Sequence, residues 1–326
     1  MSLPSSPFAA SSSTAGTGEI LLSLLPPGRQ VLQKCTYQYP LKLIAPDPHH
    51  SIEEKHVTVV FLLTYGGGLV GGDKIDLEVG LQDGTRLVLL TQGSTKIFKS
   101  AGRSVISGQT LNVQIASQAA LCYLPDPTQP FAESVYEQKQ TFYVQPDGTS
   151  SLLVLDWVSE GRRARGESWT MWGWKGRNEV RESDEQSKGR LLLRDAVMLH
   201  EDSLAGAGLV GKSNGMGIFG TLIVYGPIFK KLKEFLLQEF TSQPRIGAKN
   251  WTSSDGATLV NGVSKPEQAC QTQDGLLWTA ANVRGFVLVK FGAKELDSAR
   301  RWLGGLLRKE GTVERVFGHQ ALLCLR

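Results

Sequence analysis

Cysteine is scarce in this sequence. There are four, Cys35, Cys122, Cys270 and Cys324, and no two of them form a C-x-x-C. Scattered thiols of this number exclude a disulfide framework and point to a reducing compartment. Long apolar runs are also missing, and none approaches the roughly 18 residues of a membrane span. The opening "MSLPSSPFAASSSTAGTGEI" contains no Lys or Arg and no apolar stretch. It suits neither a secretory nor a transit peptide, so residues 1–19 are expected to form a disordered, Ser-rich tail and the protein to be cytoplasmic. Charge of one sign is lacking too. The 35 basic and 31 acidic residues leave a net +4 and a pI near 8.8, below the level that marks a nucleic-acid-binding domain. No nucleophile elbow, H-E-x-x-H or evident Ser-His-Asp set is present, and nothing announces an enzyme.

What the sequence has in excess is glycine, 36 residues of 326. Short strand-like runs recur from about 57 to 226. In "KIDLEV", Ile75, Leu77 and Val79 alternate with Lys74, Asp76 and Glu78. "LNVQIA" repeats the pattern with Leu111, Val113 and Ile115. "TRLVLLT", "AALCYL", "SLLVLDWV", "RLLLRDAVML" and "GTLIVYG" are more uniformly apolar, as strands covered on both faces are. Turns such as "QDGT" and "QPDGTS" punctuate them. The pattern predicts a mainly β fold, a sandwich, barrel or helical stack of short strands. Two amphipathic helices are expected late in the chain. "PIFKKLKEFLLQEF" carries Ile228, Leu232, Phe235 and Leu236 on one stripe, and "KELDSARRWLGGLLRKEG" carries Leu296, Ala299, Leu303 and Leu306 and ends near Gly311. Between them, about 241–275 reads as a polar surface insertion in a single domain spanning 20–326, with a smaller insertion at 181–190.

Two nucleotide motifs fail on context. Gly66, Gly68 and Gly71 in "YGGGLVGGDKIDLEV" fall on G-x-G-x-x-G, but a period-two strand follows where a dinucleotide site needs a helix N-terminus. "GAGLVGKS" (206–213) matches G-x-x-x-x-G-K-[ST], but the glycine-rich "NGMGIFG" and a strand follow it.

Three further clusters carry groups capable of chemistry. His49, His50 and His56 with Asp47, Glu53 and Glu54 could hold a divalent metal, though their spacing matches no known site and a solvated loop accounts for them as well. "GRRARGESWTMWGWKGR" joins arginines to tryptophans, but Glu167 and the acids that follow argue against nucleic acid. Asp126 lies between Pro125 and Pro127, held extended, either presenting its carboxylate to a partner or bracing a rigid corner.

Five blocks, "YPLKL" (39–43), "TYGGGLVGGD" (64–73), "LLTQGSTKIFKS" (89–100), "YLPDPTQPFAESVYEQKQ" (123–140) and "LDWVSEGRRARGE" (155–167), resemble in order and spacing the urease accessory protein UreD family, called UreH in some bacteria. The resemblance runs from about 30 to 226 and more loosely to the end. It implies a β-rich fold with helically wound strands and two helices. The implied role is a non-catalytic scaffold that binds apo-urease and an all-helical F-type accessory protein, which recruits the nickel-carrying G-type GTPase. GTP hydrolysis would release nickel into the urease site, where a carbamylated lysine completes its ligands, and the metal would travel through a passage inside the scaffold. No permanent cofactor is implied, only nickel in transit.

The glycines Gly66, Gly67, Gly68, Gly71, Gly72 and Gly161 would be structural, supplying positive φ and close approach. The matching residues Tyr65, Asp73, Gln92, Lys96, Asp126, Gln138, Asp156, Arg162 and Glu167 would bind partners or line the passage, with their charged members divided between bracing corners and lining it. The two helices and an aromatic strand at 169–174 are candidate docking places for the helical partner. Thr128 and Gln129 stand where bacterial members tend to be apolar. The alternatives left open are a P-loop-type NTPase using "GAGLVGKS" and a β-rich binding module unrelated to urease.

Overall fold

The structure is a computed structural model. It describes residues 14–47, 49, 50, 56–184, 189–200, 209, 211, 213–243 and 275–326. In chain order the strands are β1 (Thr17–Leu25), β2 (Arg29–Tyr37), β3 (Leu41–Ile44), β4 (His49–His50), β5 (His56–Thr64), β6 (Gly68–Leu69), β7 (Lys74–Leu81), β8 (Arg86–Leu90), β9 (Thr95–Ile97) and β10 (Ser107–Ile115). They continue with β11 (Ala120–Tyr123), β12 (Thr128–Pro130), β13 (Val135–Val144), β14 (Ser151–Ser159), β15 (Gly173–Glu182), β16 (Leu191–His200), β17 (Ile218–Tyr225), β18 (Leu277–Val283) and β19 (Phe286–Ala293). Helices α1 (Lys230–Thr241), α2 (Leu296–Glu310) and α3 (Thr312–Phe317) precede a closing 3-10 segment, His319–Leu325.

The strands wind as a coil. One sheet, A, has the order β16-β15-β13-β10-β7-β1-β2; the longest path of the other, B, runs β18-β19-β17-β14-β11-β8-β5-β3. From β7 onward the chain passes from an A strand to a B strand to a short third strand, then returns one step along. Each turn takes about thirty residues, so like strands stack in parallel: β7 on β10 on β13, β8 on β11 on β14, and β9 on β12. Antiparallel pairs finish the ends, β2 on β1, β16 on β15, and β17, β19 and β18 beyond β14.

The hydrophobic pattern explains the layering. In β7 the apolar positions are buried and Lys74, Asp76 and Glu78 are exposed, so sheet A faces water on one side. In β8 every residue is buried. Leu87 and Leu89 join the core between the sheets, while Val88 and Leu90 face a second core roofed by α1, α2, α3 and the C-terminal segment. Of the stripes expected on the helices, Leu232 and Leu236 on α1 and Ala299 and Leu303 on α2 are buried, whereas Ile228 precedes α1 and Leu307 is buried in place of the half-buried Leu306. Gly311 ends α2 in the left-handed conformation, φ 84°, where a residue without Cβ is unstrained.

Several expectations are corrected. The first strand begins at Thr17, inside the expected tail, and β1 and β2 precede the first strand read from the sequence. The run 191–200 is not covered on both faces: it is the edge strand β16, with Met198 59% exposed. Residues 169–172 are not a strand but a loop leading into β15. There Trp169 is buried and donates its indole N–H to the Met216 carbonyl at 2.8 Å, which pegs the loop to the core. Residues 244–274, most of the expected insertion, and most of 206–213, including Lys212, lie outside the described residues. After Ser213 the chain turns into strand β17.

Candidate functional site: a polar seam between the sheets

Midway along sheet A the inward positions turn polar. Gln109, Gln138, Gln140, Asn178 and Asp195 are all buried and share the inner face with Leu111, Phe142 and Val180. Register sets Gln140, Asn178 and Asp195 side by side on β13, β15 and β16. Asp156, Thr221 and Lys290 form a matching row on β14, β17 and β19 of sheet B.

The rows are bridged. Asp156 accepts from Gln138 Nε2 at 2.9 Å and from Asn178 Nδ2 at 2.6 Å. Lys290 Nζ donates to Asp195 Oδ1 at 2.6 Å and to Thr221 Oγ1 at 3.3 Å. Asp156 borders internal cavities, yet the protein packed around its carboxyl desolvates it and raises its pKa against the pull of Asn178 and Gln138. Burial likewise raises the Tyr123 and Tyr136 phenols, which remain neutral hydroxyls beside it.

The other end of the seam centres on Asp126. Its Oδ2 accepts from Gly93 N–H at 2.8 Å and from Thr91 Oγ1 at 3.3 Å, and its Oδ1 takes Arg300 Nη2 of α2 at 2.6 Å. Asp126 therefore braces a corner with its carboxylate turned inward. Cys324 packs beside it with Sγ 3.3 Å from the Thr91 carbonyl, and burial pushes this thiol up to about 12. It is a protonated thiol at neutral pH, not a thiolate ligand.

Three cavities follow the seam. A small one of about 20 Å³, room for one or two waters, lies between Asp126 and Asp156 and touches Gln109, Tyr123, Thr128 and Gln138. Beyond Asp126 and Thr91 is a cavity of about 540 Å³, lined by Phe61, Leu63, Gln92 and Arg300. Beyond Asp156 is one of about 220 Å³, lined by Trp174, Val197, Phe219 and Lys290. Asp126 and Thr91 border two of the three, as do Asp156 and Trp157, so the polar side chains stand at the necks. Thr128 accepts the Trp174 indole N–H at 3.0 Å, a partner that an apolar residue there would not supply.

Of the residues singled out from sequence, Asp126, Gln138 and Asp156 lie on this seam and Gln92 at its outer cavity. The others lie elsewhere. Asp73 Oδ2 accepts the Val70 N–H at 3.0 Å in the turn before β7. Arg162 pairs in bidentate fashion with Glu167 and lies 4.0 Å over the Phe131 ring; the hydrogen bond from Arg162 holds the Glu167 carboxyl below its usual range. Tyr65 is exposed against Tyr39, and Lys96 is exposed on β9.

The glycines divide by mechanism. Gly66, Gly67 and Gly72 have φ of 75°, 74° and 94°. Gly68, Gly71 and Gly161 instead permit close approach, and a Cβ on Gly68 would sit 2.3 Å from the Lys96 carbonyl oxygen. His49 and His50 form the short strand β4, with His50 paired to His56; the side chains of His49 and His50 lie outside the described residues. Among the described residues, no three His, Cys, Asp or Glu side chains are grouped to hold a metal ion.

Comparison with known proteins decides the family. The sequence profile described as "UreD urease accessory protein" matches residues 17–323. This chain belongs to the UreD family. It is 32% identical over 270 residues to an "uncharacterized urease accessory protein ureD-like" of Schizosaccharomyces pombe, covering 82% of this chain and 84% of that protein. It is 30% identical to "Urease accessory protein D" of Arabidopsis thaliana, with 78% and 85% covered. It is 35% identical to "Urease accessory protein UreD" of Sorangium cellulosum, with 68% and 65% covered. A urease accessory role follows from the family, and the wound, β-rich fold with its helices is the one expected for UreD. Among the described residues of this UreD-family chain, no helix is long and apolar enough to cross a membrane.

Asp195, Asn178, Lys290 and Arg300 were missed in the sequence. The signal was there for two of them: Asp195 in "LLLRDAVML" alternates in phase with Leu193 and Val197, opposite to Arg194, and Lys290 in "FVLVKFG" is the one charge of an apolar run, in phase with Phe286 and Leu288.

Proposed function

We propose that this protein is a non-catalytic, cytoplasmic maturation scaffold for urease. It binds apo-urease and the F-type accessory protein, and nickel delivered by the G-type GTPase passes along the seam between the sheets on its way to the urease site. The observation that carries the reading is the line of oxygen-bearing side chains, Asp126, Gln138, Asp156, Asn178 and Asp195, which joins cavities at both ends. Isolated carboxylates and amides hold a borderline cation weakly, because each seat offers few ligands and no thiolate or imidazole cluster traps it. A conduit requires this weakness. The hydrogen bonds that already satisfy Asp126 and Asp156 keep both in place when no metal is present.

The test is urease activity in nickel-supplied cells lacking this protein, complemented with wild type, with Lys212→Ala or with Asp156→Lys. Complex formation with urease and the F-type protein is followed by co-purification. The reading expects wild type and Lys212→Ala to restore activity, and Asp156→Lys to assemble without activating. Loss of function in Lys212→Ala would revive the NTPase alternative. Full activation by Asp156→Lys within an intact complex would remove the seam from the mechanism. No restoration by soluble wild type with its cognate partners would favour an unrelated binding module.

A further inference from the structure

The seam is unevenly satisfied. At Asp126 both carboxylate oxygens have donors. At the far end they do not. Among the described residues, the buried side-chain oxygens without a hydrogen-bond partner are Gln140 Oε1, Asn178 Oδ1, Asp195 Oδ2 and Ser23 Oγ. Three of these four stand side by side in the row across β13, β15 and β16. Asn178 cannot relieve the deficit by turning its amide, because its nitrogen is engaged by Asp156 at 2.6 Å. Buried acceptors without donors are costly, and three adjacent ones can together receive a cation.

One cation already reaches this place. Lys290 touches Asp195 through a single oxygen, and its side chain is 46% exposed, whereas the Asp195 side chain is 10% exposed. It stands at the mouth of the 220 Å³ cavity. A lysine is a compact point charge on a flexible stem, and with one short contact it can withdraw into solvent without leaving its strand. Arg300, at the other end, is 23% exposed and pairs with a carboxylate whose second oxygen is anchored by backbone.

We propose that Asp195 with Asn178, Gln140 and Asp156 forms a divalent-cation seat that Lys290 fills in the metal-free protein, and that a metal ion enters by displacing the Lys290 ammonium. Lys290 is thus a positioning and selecting residue at one mouth of the seam. It repels an arriving cation and must be outcompeted by a double charge, so monovalent ions do not load the site. The proposal rests on the conduit reading for its biological meaning, but the seat itself is a property of this chain.

The experiment is equilibrium dialysis of the full-length protein against Ni²⁺ alone, and separately against Na⁺ and Mg²⁺, with thermal melting as the folding check. Lys290→Met keeps the stem and removes the charge. It is expected to bind one Ni²⁺ about tenfold more tightly than wild type, the scale of removing one like charge close to the seat at a protein surface. Lys290→Arg is expected to bind no better than wild type, and Lys290→Met with Asp195→Asn to lose the gain. Unchanged Ni²⁺ affinity in a folded Lys290→Met overturns the proposal and means that water satisfies these oxygens. A gain that survives Asp195→Asn places the ion elsewhere and also overturns it. The outcome is independent of the complementation assay: a gain in Ni²⁺ affinity together with failed urease activation would leave the seat standing and remove the maturation reading, and the reverse would do the opposite.

Discussion

Asp126 and Asp195 are both buried and both paired with a cation from the C-terminal part of the chain, and each pair has a member that lines a cavity, Asp126 and Arg300 at one end and Lys290 at the other. They differ in what surrounds the pair. Asp126 is fixed by a backbone N–H, a threonine and the planar guanidinium of Arg300. Asp195 has one oxygen on an ammonium and the other on nothing. A carboxylate held from every side works as a latch between coil and helix. One held from a single side keeps bonding capacity in reserve. The same ion-pair chemistry thus gives architecture at one end of the seam and an exchangeable position at the other.

The comparison predicts stability effects in a definite order. Arg300→Met should cost the most, about 3 kcal/mol, because it strands a buried carboxylate; chemical denaturation measures it, and a loss under about 1 kcal/mol would show that Asp126 does not need its latch. Glu167→Gln, at a corner away from the seam, should cost about 1 kcal/mol. Arg162 lowers the Glu167 pKa in the folded state, so this contribution is full above the ordinary carboxylate value of 4.5 and disappears as pH falls through the lower folded value. Melting curves of wild type and variant should therefore converge at acid pH; a constant gap would exclude the ion pair as the cause. Lys290→Met alone also strands a carboxylate, Asp195, 10% exposed, and should cost nearly as much as Arg300→Met; with Asp195→Asn added, so that no charge is left unpaired, the cost should be the least, under about 1 kcal/mol. A double variant as unstable as Lys290→Met alone would exclude the stranded carboxylate as the cause.

The sequence made the layers legible because burial is periodic. "KIDLEV" declares one wet face, and "LVLL" in β8 declares none. The helix stripes and Gly311 were readable for the same reason. The N-terminal strands were not, since β2 buries a polar residue, Gln30, and leaves Val31 and its other neighbours half-exposed or exposed, which is weak alternation at the edge of a sheet. The seam was legible only in part. Asp126, Gln138 and Asp156 stood in family blocks, but nothing local says that Asp195 meets Lys290 across 95 residues. That meeting depends on the number of coil turns between the strands and on lateral register, and neither leaves a mark in a window of ten residues. Arg300 was hidden for another reason: on an amphipathic helix a charge off the apolar stripe reads as solvent-facing.

Both cations that close the seam lie beyond residue 275, whereas the two seam carboxylates they pair with, Asp126 and Asp195, lie before residue 200. On the ribosome, the coil is therefore synthesised before its counter-charges, and the outer face of sheet B before the helices that roof it. A chain cut short ahead of Leu277 would hold the coil's winding strands but leave two buried acids without their cations and a broad apolar sheet uncovered. The last fifty or so residues act as a stopper, fitted after the vessel is made.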